Sequence, residues 1–342
     1  MRIDPTGTHG PTKGQARGPH WRGTGSGFYV PAGVSDAVPE QRIVEAATLL
    51  PPGGAVTGWA ALRLRQGNFF DGLARDGVTR RPVPLNLTPH ESRRDREGIS
   101  WSHDRMGPDA WSMVCGVPCA TAERALFDEM RWAPDERDAA VAMDMAAAAE
   151  LSCISFMRTF VDAHAGWRGV PLVRRALDLA SEKSRSPRET DFQLIWVLDA
   201  KLCRPVVNQE VFDRRTGRLL GIADLLDPVA GVIGEFDGGE HAGIGRRSRD
   251  AARDEAFRNH KIETFRVTGL DLHRPRMVAE RMIRARRRAA WLPEAERTWT
   301  LEGPAGWEPD PSLEMVLVAR RMVRESHDEW LREELARRVA EG

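Results

Sequence analysis

No run in this 342-residue chain approaches the ~18 consecutive apolar residues that a membrane-spanning helix needs. The opening stretch, MRIDPTGTHGPTKGQARG, has no hydrophobic centre of the kind a secretory leader carries. Cysteine is scarce, and Cys115, Cys119, Cys153 and Cys203 form no C-x-x-C pair. That spacing argues against structural zinc and against a disulfide framework, so reduced thiols are expected. A net charge is missing too, because 50 Lys and Arg balance 50 Asp and Glu. Global charge therefore names no partner. Internal repeats and extended low-complexity tracts are also absent. Together these absences lead us to expect a cytoplasmic chain with no membrane association.

What is there exceeds one ordinary core, and the length alone suggests two or three domains or one domain with substantial flanks. Residues 1–40 are rich in Gly and Pro around a short strand, Phe28–Val30. From Gln41 the apolar positions Ile43, Val44, Ala47 and Leu50 have helical spacing until Pro51-Pro52 stops them, and Thr57 is placed to cap a second helix. Between 73 and 115 three β-like pieces (Val83–Leu87, Ile99–Ser102, Ser112–Cys115) suggest a small sheet, with Pro84 confining the first to an edge. Residues 116 to about 182 are helical in pattern, with a start at Thr121 and an alanine-rich stretch, DERDAAVAMDMAAAAE.

The pattern changes at Ser186. Ser186, Pro187 and Glu189 form a capping-box arrangement, which predicts a helix running to about Lys201. Strands follow at Val206–Phe212, Leu219–Leu226 and Gly231–Phe236, the last two joined by a DPVAG turn. A basic helix (about Arg247–Asn259), a strand (Ile262–Thr268) and an Arg-rich helix from about Pro275 complete the region. A linker, EGPAGWEPDPS, leads to an amphipathic helix, Leu313–Val339, whose expected role is docking or self-association. The expected fold class is α/β (α+β): a helical N-terminal and middle region with a small sheet, an α/β domain with a mixed sheet, and a C-terminal helix. The expected segments are 1–40, 41–182, 183–290 and 291–342.

Chemistry concentrates in GEFDGGEHAG, residues 234–243. Residues two apart on a strand share a face, so Glu235 and Asp237 can aim at one point, and the hairpin brings Asp224 beside Glu235. Three crowded carboxylates repel unless a cation sits among them, and oxygen-only ligation suits Mg²⁺ or Mn²⁺. Such an ion can polarise a phosphodiester and organise a water, with His241 as a candidate base or water-orienting group. Gly238 and Gly239 allow close approach of a bulky substrate, whereas Glu240 has no evident role. Residues 246–288 then hold fourteen Lys and Arg against six Asp and Glu, a difference of +8. Arg246, Arg253 and Arg266 are the candidates for contact with a phosphate backbone.

These residues resemble the PD-(D/E)xK superfamily, in the branch related to very-short-patch mismatch repair endonucleases. The resemblance covers about 186–275 and rests on Asp224, Glu235-Phe236-Asp237-Gly238, His241, Asp250 with Arg253, and Arg266-Val267-Thr268. It implies a restriction-endonuclease-like domain, a Mg²⁺ (or Mn²⁺) site at Asp224, Glu235 and Asp237, and DNA as substrate. The superfamily also implies a helix-borne acid, here Glu189. Where most of the superfamily has a lysine, this chain has Asp237, as is usual in the branch, and Lys261 is distant in sequence. VTGWAALRL and GVPCATAERALFDEM resemble the AbiEi family of type IV antitoxins, with KGQARGPHWRGTGSGFYVPAG as a reduced winged-helix-like segment.

Several residues keep two readings. Glu189 is a metal ligand or the capping-box acid, and Asp224 and Asp227 are functional or turn residues. Arg253 contacts a phosphate or holds an active-site carboxylate, and Arg286-Arg287-Arg288 is a nucleic-acid contact or a solvated helix end. Two functions follow: a metal-dependent endonuclease acting on DNA, or a DNA-binding regulator or antitoxin with a toxin partner and an inactive nuclease-like domain.

Overall fold

The structure, a computed structural model, describes the chain except residues 26, 89, 90, 92, 238–243 and 342; for 25, 244–251 and 331–341 it describes the backbone alone. The fold is α/β, and the chain divides into two compact units. One holds residues 1–135 and 149–174, the other 136–148 and 175–342.

The first unit opens with a hairpin of β1 (Trp21–Gly25) and β2 (Phe28–Pro31). It continues through α1 (Pro39–Ala47), β3 (Ala55–Val56), α2 (Gly58–Leu64), β4 (Val83–Asn86), β5 (Ile99–Ser102), β6 (Trp111–Val114), β7 (Val117–Ala120) and α3 (Ala122–Arg131). The alanine-rich helix α4 (Glu136–Ala148) groups with the second unit, α5 (Ile154–Ala163) with the first, and the division falls inside α6 (Val170–Leu179). The expected boundary near 182 is thus displaced, and α4 changes sides.

The first unit's larger sheet has the order β5-β4-β3-β7-β6, with parallel and antiparallel pairs. Pro84 does not sit on an edge strand, because β4 runs between β5 and β3. The missing N–H costs no ladder bond because Thr57, the residue opposite Pro84, turns into α2. Its amide donates to Pro84 O at 3.1 Å, and its carbonyl, which would have taken a donor from that position, accepts the Ala61 amide at 3.2 Å instead.

Thr57 precedes α2 as expected, but its hydroxyl does not cap the helix. It donates instead to buried Asp128 at 2.6 Å. Asp128 also takes Arg124 Nε at 3.0 Å and Arg131 Nε at 2.9 Å, and Arg124 lies 4.6 Å over the Trp167 ring. Thr121, by contrast, caps α3 as predicted, with its side chain accepting the Arg124 amide.

The second unit runs through α7 (Pro187–Leu194), a π-helical turn (Ile195–Asp199), β8 (Val206–Asp213), β9 (Leu219–Asp227), β10 (Val232–Asp237), α8 (Ile244–Asn259), β11 (Glu263–Thr268), α9 (Pro275–Arg288), β12 (Trp299–Thr300) and α10 (Leu313–Glu341). Its sheet order is β11-β10-β9-β8-β12, with β10 and β11 parallel and the other pairs antiparallel. Consecutive strand residues face opposite sides, so Val232 joins Phe192, Trp196, Phe265, Val278 and Met282. Ile233 joins Phe257, Ala223, Leu226 and Trp299 on the other face.

Helix α4 is fastened by Asp144, which is fully buried. Its Oδ1 accepts the Ser181 and Glu182 amides (2.7 and 3.0 Å), and its Oδ2 accepts the Thr190 hydroxyl at 2.9 Å. Burial raises the Asp144 pKa, opposed by these hydrogen bonds. The folded chain then keeps a proton that the unfolded chain loses near pH ~3.9, so this contribution is full below that pH and is lost as pH climbs through the folded value. Asp144→Asn keeps the amide acceptor, and the hydroxyls of Thr190 and Ser181 can accept from its Nδ2. Urea titrations of the variant between pH 4 and 8 are expected to show a shallower fall of stability with pH than the wild type; an unchanged slope would remove Asp144 as its source.

Cys119 and Cys153 are buried, whereas Cys115 and Cys203 are exposed. Burial pushes the Cys119 thiol up to about 12, so it carries almost no thiolate near neutral pH. A disulfide reagent at pH 7.5 is expected to label Cys115 and Cys203 quickly, and the other two only after denaturation. Among the described residues, no helix is long and apolar enough to cross a membrane.

Candidate functional site

The site is built around the β9–β10 hairpin. Its turn is set by Asp227, whose Oδ1 accepts the amides of Val229 and Ala230 (2.9 and 3.0 Å), and by Gly231 at φ +72°. Asp227 is therefore a turn residue, and its other oxygen takes Arg286 Nε at 2.8 Å. From this turn the ladder pairs Val232 with Asp227 and Gly234 with Leu225, and there it stops. One step further lie Glu235 and Asp224. The Asp224 carboxylate accepts the Phe236 amide at 2.7 Å, taking a backbone donor that a continuing ladder would have used. This puts Asp224 against Glu235, as the hairpin register predicts.

On the other side of β9 the ladder is interrupted as well. Val207 pairs with Leu225 and Gln209 with Ala223, and the position between them, where Asn208 faces Asp224, is passed over. Asn208 has φ +46°, a left-handed conformation that Asn tolerates better than most residues. Its side-chain amide donates to Lys183 O at 2.6 Å and to Glu189 Oε2 at 3.2 Å. Ser186 accepts the Glu189 amide, and Glu189 Oε2 accepts the amide of Arg185, one residue before the expected partner. Glu189 is thus a capping acid whose helix is tied to the strand beside Asp224.

Gly234, on the opposite face of β10 from Glu235, lets the core rings close on the strand, since a Cβ there would sit 2.7 Å from the Phe265 ring and 2.8 Å from the Phe192 ring. The Glu235 side chain is 6% exposed, and its Oε2 takes Arg253 Nη2 at 2.5 Å. Its Oε1 is buried without a hydrogen-bond partner among the described residues. Arg266, from β11, pairs with Asp254 at 2.6 Å. Arg253 and Arg266, the two candidate phosphate contacts whose side chains are described, thus have carboxylate partners.

Burial above all, and then the charge of Asp224, push Glu235 up to about 8, with Arg253 pulling the other way. Asp224 is also raised, first by burial and further by Glu189, against the Phe236 amide, Arg253 and Arg185. Two acids forced together in low dielectric favour either a retained proton or a cation. The chemistry available here is carboxylate binding of a hard cation or carboxylic-acid proton exchange.

Not all expected residues gather. Asp237 ends β10 and is exposed, and among the described residues no three His, Cys, Asp or Glu side chains form a group that could hold a metal ion. Asp237 lies two residues past Glu235 on the same strand but at its exposed end, whereas the Glu235 side chain is buried and paired with Arg253. His241 and Glu240 lie outside the described residues, as do the side chains of Arg246 and Asp250. Comparison with protein families, curated proteins and solved structures found no match. What the site does must be argued from its side chains.

Sequence reasoning missed three features. Asn208 carried a usable signal, a turn-prone residue within a β-like run. Arg286 and Arg288 did not, because their partners Asp227 and Glu263 are 59 and 25 residues away. Arg286 also lies 4.3 Å over Trp291, so part of the arginine run is structural rather than solvated.

Proposed function

We propose that this chain is a metal-dependent endonuclease that hydrolyses phosphodiester bonds in DNA. The observation that carries the reading is the Oε1 of Glu235, buried and without a hydrogen-bond partner among the described residues, beside the Asp224 carboxylate. A lone buried carboxylate oxygen is costly, and a divalent cation would satisfy it and relieve the repulsion from Asp224. These donors fit Mg²⁺ or Mn²⁺, held by Asp224 and Glu235, with Asp237 and His241 as further candidates from the sequence. Such an ion, when bound, supplies Lewis-acid polarisation of the phosphodiester and acidifies water. The chain's own part is to hold the two carboxylates together through the Phe236 amide and to offer a basic flank, residues 246–288, to the phosphate backbone. The resemblance to very-short-patch-type nucleases supports the same reading.

A specific observation favours a second reading. Arg253 and Arg266 are engaged by Glu235 and Asp254, and Asp237 stands in place of the superfamily's lysine, which suits a DNA-binding regulator or antitoxin whose nuclease-like domain is inactive. Incubating the protein with plasmid DNA and Mg²⁺ or Mn²⁺ separates the two. The nuclease reading expects nicking that is lost in Asp224→Ala and Glu235→Ala. Salt-sensitive DNA binding with no cleavage under any metal would favour the regulator.

A further inference from the structure

The pairing of Arg253 with Glu235 has more to it than a surface ion pair. Arg253 stands on α8 and crosses to β10, and its stem lies on Gly221 of β9. A Cβ at Gly221 would be 2.7 Å from both Cγ and Cδ of Arg253 and 2.9 Å from Cζ of the fully buried Phe257. Those are the root of the arginine side chain and a packed ring, not a free end that could swing aside. Gly221 has no positive φ, so backbone conformation does not call for glycine there. What calls for it is the arginine. In this seat Arg253 brings a cation to one oxygen of Glu235, and the other oxygen of the same carboxylate, Oε1, is buried with no hydrogen-bond partner among the described residues. The guanidinium thus supplies part of the positive charge that the Asp224–Glu235 pair demands.

From this geometry we infer that Arg253 is a built-in counter-ion that competes with a divalent cation for Glu235, and that Gly221 is the positioning residue that seats it. The inference rests on the metal reading of the site. A divalent ion binding Asp224 and Glu235 must either share Glu235 with Arg253, at the cost of repulsion between two cations a few ångströms apart, or displace the guanidinium. Removing the charge while keeping the stem therefore strengthens binding of the ion. Filling the glycine seat does the same by pushing the stem off β9.

The experiment is a Mn²⁺ titration of the full chain without nucleic acid, followed by the electron paramagnetic resonance signal of free Mn²⁺. Wild type, Arg253→Met, Gly221→Ala and Glu235→Gln are compared, each first checked for cooperative thermal unfolding. Arg253→Met is expected to bind Mn²⁺ roughly tenfold more tightly than wild type or better, in line with removing a like charge from a part-buried site. Gly221→Ala is expected to move affinity in the same direction by a smaller factor, and it carries the test should the methionine variant not fold. Affinity that is unchanged or weaker in both variants overturns the counter-ion role while leaving the metal reading intact, provided that Glu235→Gln lowers Mn²⁺ binding. Mn²⁺ binding that is insensitive to Glu235→Gln, or absent from wild type and Arg253→Met alike, overturns the metal reading and this inference with it.

Discussion

Asp224→Asn is expected to reduce Mg²⁺-dependent DNA cleavage by roughly a thousandfold, equivalent to about 4 kcal/mol of lost transition-state stabilisation. Asparagine has the size of aspartate and keeps an oxygen to accept the Phe236 amide, so the β9–β10 hairpin keeps the contact that ends its ladder. What it removes is one of the two charges that would hold the ion. The reading separates cleanly from a loss of fold. Single-turnover nicking of supercoiled plasmid should collapse, while the urea midpoint changes little or rises, because a part-buried charge that crowds Glu235 has gone. Cleavage that survives in this variant would place the chemistry elsewhere on the chain.

The largest stability effect is expected in the other unit. Asp128→Ala strands Arg124, which is 1% exposed and stacked on Trp167, and takes from Arg131 and Thr57 a shared acceptor. Leaving a buried cation uncompensated costs about 3–5 kcal/mol, a large share of the total stability of an ordinary domain. The attraction between the partners is not the source of that figure; the abandoned charge is. The double variant Asp128→Ala/Arg124→Met should therefore recover a good part of the loss. Urea denaturation of the single and double variants decides it, and a single-variant cost under about 1 kcal/mol would show that water reaches Arg124.

How much of this could be read in the sequence depended on how far apart the interacting residues lie. Ser186 capping α7, Thr121 capping α3 and the DPVAG turn were legible because donor and acceptor are within four residues of each other. Asp224 beside Glu235 was legible because a tight hairpin fixes its own register. β3 and β12, of two residues each, have no periodicity to detect and exist only through their neighbours. The edge rule for Pro84 failed for a related reason, since the strand opposite it gives way to α2 at Thr57, whose carbonyl accepts the Ala61 amide instead. Whether Arg253 meets a phosphate or Glu235 was open in the sequence, because α8 could set its helical face but not the strand opposite. The glycine at 221 was silent until its neighbours were placed.

The discontinuity of the second unit bears on how this chain comes to be folded. Helix α4 is translated before α5, yet the amides that Asp144 captures and the Thr190 hydroxyl belong to segments made later. During synthesis Asp144 must wait for those partners while the rest of its unit emerges. Alanine suits such an interval, because it is the strongest helix former and lets α4 keep its shape before its partners arrive. The alanine-rich stretch thereby becomes a preformed peg, held ready for a socket that arrives last.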